Sequence, residues 1–119
     1  MIQINSYRDL IVWQKSMDLV TEVYSITQKF PVVEVYGLSN QMRRSAVSVP
    51  SNIAEGYGRN ATGDYKRFLQ IAVASLFELQ TQLEIAFNLK YLTIEIYGVF
   101  SEKTNELDRM LFSLIKKIK

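Results

Sequence analysis

The chain contains no cysteine and no histidine. That double absence excludes disulfide staples, thiolate nucleophiles, zinc sites of the usual ligand sets and any imidazole titrating near neutrality. Most catalytic schemes thereby lose their best base. Proline occurs twice and glycine five times in 119 residues, so helix breakers are confined to a few places. No run approaches the roughly 18 to 20 apolar residues that a membrane span needs. Met1 to Arg8 also lacks an apolar stretch of signal-peptide length. A cytoplasmic address, with no membrane partner, is the expectation. Charge of one sign is scarce too: 14 basic against 12 acidic residues leave +2. One copy would attract a polyanion only weakly, although copies gathered into a ring would add their charges.

What is present is the balance of a folded globule. Apolar residues make up 48% of the chain and charged residues 22%, which separates it from disordered tails. A length of 119 residues fits one domain over 1–119. There is no low-complexity tract and no useful internal repeat.

Periodicity predicts helices throughout. Ser6 with Asp9 three residues on forms a capping pattern, so a helix is expected to begin there. Leu10, Trp13, Met17, Val20 and Tyr24 then alternate by three and four, the spacing of a bundle seam. Val12, Leu19, Val23, Ile26 and Phe30 add an adjoining apolar flank. That surplus implies either a helix deep in the bundle or a face that meets another subunit. Pro31 to Leu38 is a connection, with Gly37 or Ser39 able to open the second helix. That helix carries Met42, Ala46, Val49, Ile53 and Ala54, with small residues such as Ser45, Ser48 and Ser51 that permit close approach. Pro50 inside it removes an amide donor at a cost of roughly 3 kcal/mol in a regular helix, so a kink or a break is expected.

Gly56 and Gly58 mark the end of that segment, and Asn60 or Thr62 can cap the third helix, expected over 63–88. Its seam of Tyr65, Leu69, Ala72, Leu76, Leu79, Leu83 and Ala86 is the clearest in the chain, widened by Phe68, Ile71, Phe77 and Phe87. Thr93 can cap a fourth helix along Phe100, Thr104, Leu107, Leu111, Leu114 and Ile118. Short connections between four helices imply antiparallel neighbours, hence an all-α, up-down-up-down four-helix bundle.

Few residues can carry chemistry. Glu55, Asp64, Glu78 and Glu84 could suggest a bundle metal site, but such sites rely on Glu-x-x-His, and no histidine exists, so no metal or cofactor is expected. Gly56-Tyr57-Gly58-Arg59 follows a helix and completes no phosphate-loop pattern. The densest basic stretch comprises Arg43, Arg44, Arg59, Lys66 and Arg67, with Lys116, Lys117 and Lys119 at the end. On a helical hairpin the first five could form a strip that grips phosphates, with Tyr57 or Tyr65 offering a stacking face. Equally, Arg43 and Arg44 could pair with Glu55, Glu78 or Glu84, and the terminal lysines could serve the helix dipole. Gln41, Asn52, Glu55, Gln80 and Gln82 sit among small or apolar residues, where a buried polar network is one outcome and solvated side chains the other.

Longer motifs point further. Tyr36-Gly37-Leu38, Gln41-x-Arg43-Arg44, Ser48-Val49-Pro50, Asn52-Ile53-Ala54-Glu55-Gly56 and Gly58-Arg59 resemble the four-helix-bundle family named for proteins encoded in 23S ribosomal RNA intervening sequences. The resemblance continues through Phe68-Leu69-x-Ile71-Ala72, Ser75-Leu76-x-Glu78-Leu79 and Thr81-Gln82-Leu83-Glu84, and Leu10-x-Val12-Trp13-x-Lys15 is similar to the family's first helix. It implies a left-handed bundle assembled as a homopentameric ring. It also implies kinship with the basic accessory protein of diversity-generating retroelements, which associates with RNA and a reverse transcriptase. The expected function is therefore non-enzymatic: an oligomer whose partner is RNA or a nucleic-acid-processing protein. The competing expectation is a protein-binding scaffold that uses the spare flank of the first helix.

Overall fold

A computed structural model describes residues 3–118, so Met1 of the N-terminal reading and Lys119 of the terminal basic run lie outside the described residues. Four α-helices make up the body: α1 (Ile11–Thr27), α2 (Leu38–Gly58), α3 (Thr62–Asn88) and α4 (Ile94–Lys117). Among the described residues there is no strand, and no helix is long and apolar enough to cross a membrane. The extents are 43 × 26 × 20 Å, the proportions of helices packed side by side.

The expected cap is present but opens a different element. Ser6 Oγ accepts from Arg8 N at 3.1 Å, and Asp9 Oδ2 accepts from Ser6 N at 3.2 Å, completing a capping box around a 3-10 turn, Tyr7–Asp9. Leu10 is extended (φ −74°, ψ 122°), so α1 starts afresh at Ile11 without a side-chain cap. A second correction concerns which stripe of α1 faces inward. Val12, Ser16, Leu19, Val23 and Thr27 are buried, whereas Met17 and Tyr24 of the expected seam remain 41% and 40% exposed. Two hydroxyls make this possible: Ser16 Oγ donates to Trp13 O at 2.8 Å and Thr27 Oγ1 to Val23 O at 2.7 Å. A hydroxyl bonded to its own helix can be buried without an orphaned donor.

The chain then crosses Pro31 to Gly37 with a 3-10 turn, Val32–Glu34. Glu34 acts at both of its oxygens, accepting from Leu38 N at 3.1 Å and from the Tyr91 hydroxyl at 2.8 Å. The second bond ties the α1–α2 connection to the α3–α4 connection. It also holds the Tyr91 phenol above its usual pKa, since the proton is shared with a carboxylate. Gly37 opens α2 as expected. Pro50 does not break α2, which continues to Gly58 with Pro50 itself buried. Neither Asn60 nor Thr62 caps α3; Ala61 occupies that position without a side-chain bond.

The seam expected of α3 is buried from Leu69 to Ala86, with Tyr65 half-buried at its start, and α3 ends at Asn88. Lys90 adopts φ 65°, while Lys90 N donates to Phe87 O and Tyr91 N to Ala86 O, both at 2.9 Å. This pair of bonds is a Schellman ending with lysine where glycine is usual. Thr93 caps α4 as expected, accepting from Ile96 N at 3.2 Å. Phe100, Thr104, Leu107 and Leu111 are buried, and Leu114 and Ile118 pack against the core partly buried. α2 and α3 form the most extensive helix pair, whereas α1 and α4 meet more sparingly. Ion pairs Lys15–Glu106 (3.1 Å) and Lys103–Glu22 bridge the latter two.

Candidate nucleic-acid interface

The five basic residues do not make one strip. Neighbouring positions on a helix point about 100° apart, and Arg43 and Arg44 accordingly separate. Arg43 Nε donates to Thr27 Oγ1 at 2.8 Å, and its guanidinium lies 4.7 Å from the Tyr24 ring centroid, so it buttons α2 to α1. Arg44 is exposed and turns toward α3, lining a groove with Glu78 and Gln82. Arg59, Lys66 and Arg67 gather instead at the α2–α3 connection. Both guanidiniums lie over Phe68, at 5.1 Å for Arg59 and 5.2 Å for Arg67, and Lys66, adjacent to Arg67 in the chain, is exposed. Arg59 pairs with Glu55 at 3.2 Å and Arg67 with Asp64 at 3.7 Å. All four of these side chains are at least two-fifths exposed, so each pair contributes at most about 1 kcal/mol and yields readily to a competing anion.

The alternative pairings of Arg43 and Arg44 with Glu55, Glu78 or Glu84 are not formed. Glu55 takes Arg59, Glu78 Oε1 accepts from Ser45 Oγ at 2.7 Å, and Glu84 stands beside the Tyr97 hydroxyl at 3.5 Å. Tyr57 and Tyr65 are both half-buried and meet edge to face, with centroids 6.0 Å apart, which occupies one stacking surface with the other. Burial and then the neighbouring Tyr57 push the Tyr65 hydroxyl above its usual pKa, so it stays protonated at neutral pH. At the C-terminal end Lys116 lies 5.2 Å from the Phe112 ring.

A polar seam joins α2 to α3, but its members differ from those expected. Serines carry it: Ser45 to Glu78 at 2.7 Å, and Ser48 to Ser75 at 2.8 Å between hydroxyls. Asn52 Nδ2 donates to Ser48 O and Oγ at 2.8 and 2.9 Å, as one of the anticipated residues. Gln41 and Glu55 are exposed, and Gln80 reaches α4, donating to Thr104 Oγ1 at 3.0 Å. Gln82 is buried, yet its Oε1 has no hydrogen-bond partner among the described residues. Residue spacing could have revealed the seam, since Ser45 and Ser48 on one helix meet Glu78 and Ser75 on the other at matching three-residue steps. At the end of α2 the two backbones come close: a Cβ on Gly56 would lie 2.7 Å from Phe68 Cβ. Among the described residues, no three carboxylates come together as a metal site would require.

Comparison with known proteins agrees with this architecture. No curated protein sequence matches the chain. One solved structure, a protein of unknown function from the S23 ribosomal protein family of Bacteroides thetaiotaomicron, superimposes with a TM-score of 0.78 at 28% identity, covering 89% of this chain and 99% of that one. The model of a protein family described as the 23S rRNA-intervening sequence protein matches residues 8–113. By that match, over nearly its whole length, the chain belongs to the family of 23S rRNA-intervening sequence proteins.

Proposed function

We propose that this protein acts without catalysis, as a cytoplasmic homo-oligomer that associates with RNA through the α2–α3 end of the bundle. The carrying observation is the pair of exposed guanidiniums seated on Phe68, with exposed Lys66 on the same first turns of α3. The ring positions each guanidinium while the Nη2 of each faces an exposed carboxylate, and the remaining N–H donors suit phosphate oxygens. Arg59 and Arg67 are backbone contacts in this reading, Lys66 adds a third charge, and Arg44 lies further along α2. Arg43 belongs to the α1–α2 contact and takes no part.

Assembly multiplies that charge. Met17 and Tyr24, with Leu10, Trp13 and Val20 packed against the core but only partly buried, leave an apolar flank on α1 that the subunit covers incompletely. The resemblance to ring-forming relatives suggests five copies. Light scattering should therefore return a mass several times 13.8 kDa, and a monomeric mass at micromolar concentration would overturn the assembly.

For RNA, three phosphate contacts per subunit predict that log affinity falls with log salt at a slope of about −2 or steeper. Affinity should thus drop by about an order of magnitude between roughly 0.05 and 0.2 M salt. Arg59→Ala with Arg67→Ala should weaken binding about tenfold whatever the RNA sequence, because backbone contacts carry no sequence information. Fluorescence anisotropy with two unrelated RNAs measures both quantities. Indifference to salt and to the double substitution would reject the reading, and a protein partner retained through nuclease and high salt would replace it with a scaffold.

A further inference from the structure

Hollows follow one another along the crevice between α1 and α4, and their character changes from end to end. At one end a hollow of about 350 Å³ is lined by partly buried Leu10, Met110 and Leu114, with Ile11 beside them 47% exposed. Arg109, Ser113 and Lys117 border it at four-residue steps along α4. Neither base has an ion-pair partner among the described residues. At the other end a hollow of about 310 Å³ is apolar through Ile26, Ile96, Val99 and Phe100, and there the charge is acidic, from Glu22 and Glu95. Glu95 likewise has no ion-pair partner among the described residues, and Ile96 and Val99 remain 39% and 49% exposed. The middle holds both signs, with Lys15–Glu106 and Lys103–Glu22 paired. One face of the bundle is therefore apolar and basic at one end, mixed in the middle, and apolar and acidic at the other.

The 17 residues from Ile96 to Ser113 put about 25 Å between the two ends at 1.5 Å per residue, so no side chain can pair them within one subunit. A second copy can, in one sense only. Laid alongside in the same direction, it would set Arg109 and Lys117 against their own duplicates and Glu95 against Glu95. Turned end for end, it sets the two bases against Glu95 at both ends, and the apolar hollows cover one another. We propose that the α1–α4 face binds a second copy of this chain, antiparallel about a two-fold axis near the ion-paired middle. Arg109 and Lys117 of each copy meet Glu95 of the other, while Ile11, Met110 and Leu114 pack against Ile96 and Val99 of the other. This contact deepens the assembly reading above and is separate from the α1 flank. At about 100° per residue, Met17 and Tyr24 stand on the far side of α1's buried stripe from Asp18 and Glu22, so neither contact blocks the other. A two-fold contact closes on two copies, so it doubles whatever the flank assembles.

Charge reversal read by sedimentation at micromolar concentration tests the face. Glu95→Arg alone, and Arg109→Glu with Lys117→Glu, should each weaken the contact about tenfold or more and halve the mass of the assembly, because like charges then meet at both ends. All three positions are exposed, so helix content by circular dichroism should not change. Mixed in equal amounts, the two variants should recover the wild-type mass, since each offers the other opposite charge at both ends. That recovery separates charge pairing from misfolding. A mass unchanged by either variant, or no recovery on mixing, would overturn the groove contact and leave the α1 flank standing. Met17→Ser with Tyr24→Ser should instead leave a pair of copies that the charge reversals still split. A flank variant that keeps the full mass, while the reversals still lower it, would overturn the flank and spare the groove.

Discussion

Gly56→Val should destabilise the bundle by about 3 kcal/mol, the upper part of the range for forcing atoms into a packed contact. A Cβ at this position would stand 2.7 Å from Phe68 Cβ, 3.2 Å from Tyr65 Cδ1 and 3.3 Å from Tyr65 O. Two of those three atoms sit on or next to the α3 backbone and cannot rotate away, so relief requires α2 and α3 to separate. Separation would strain Ser45–Glu78 and Ser48–Ser75 further along the same pair of helices. Gly58→Ala is the matching control. Nothing lies within 4 Å of its Cβ position, so alanine there should be neutral or stabilising by up to about 1 kcal/mol from helix propensity. Urea denaturation followed by circular dichroism compares the two. Equal midpoints for both variants would mean that α3 slides aside and that the close approach is not structural.

Leu76→Ala should cost about 2 to 5 kcal/mol, since this side chain is fully buried in the middle of α3 and its loss leaves a cavity. The total stability of a domain this size is about 5 to 15 kcal/mol, so the substitution endangers folding at 37 °C. Phe77 is the informative neighbour. It is the larger residue but 48% exposed, and Phe77→Ala should cost under about 1 kcal/mol. Thermal melts at several protein concentrations separate these effects. Comparable losses from both substitutions would show that the outer face of α3 is covered by something other than solvent.

The readable parts of this chain are those decided by near neighbours. The third helix was plain from its seam, because Leu69 to Leu83 repeat at three and four residues without interruption. Thr93 was legible as a cap for the same reason: its partner is the amide of Ile96, three residues on. In the first helix apolar residues alone do not decide which face turns inward. Two overlapping stripes had similar hydrophobicity, and the one chosen for the interior by the fold includes Ser16 and Thr27, whose hydroxyls are silenced by their own helix carbonyls. Pro50 predicts a kink or a break in α2; of the two, the break does not occur, and α2 continues to Gly58, held against α3 by Ser48 and Ser75 on one side of the proline and Gly56 on the other.

The candidate site divides along the same line. That Arg59, Lys66 and Arg67 would cluster followed from their flanking one short turn. That Arg43 would leave the group and Arg44 would face α3 depended on how α2 is rotated about its axis, which charge spacing does not specify.

Helix content, the positions of the connections, the lack of thiol and imidazole chemistry and the family were determined by the sequence itself, because each depends on residue identity or on contacts within about one turn. The inward stripe of α1, the close approach at Gly56 and the separation of Arg43 from Arg44 were decided only in the folded chain. Each of these joins residues on different helices, and the rotation and separation of those helices are set by the packing of the whole core.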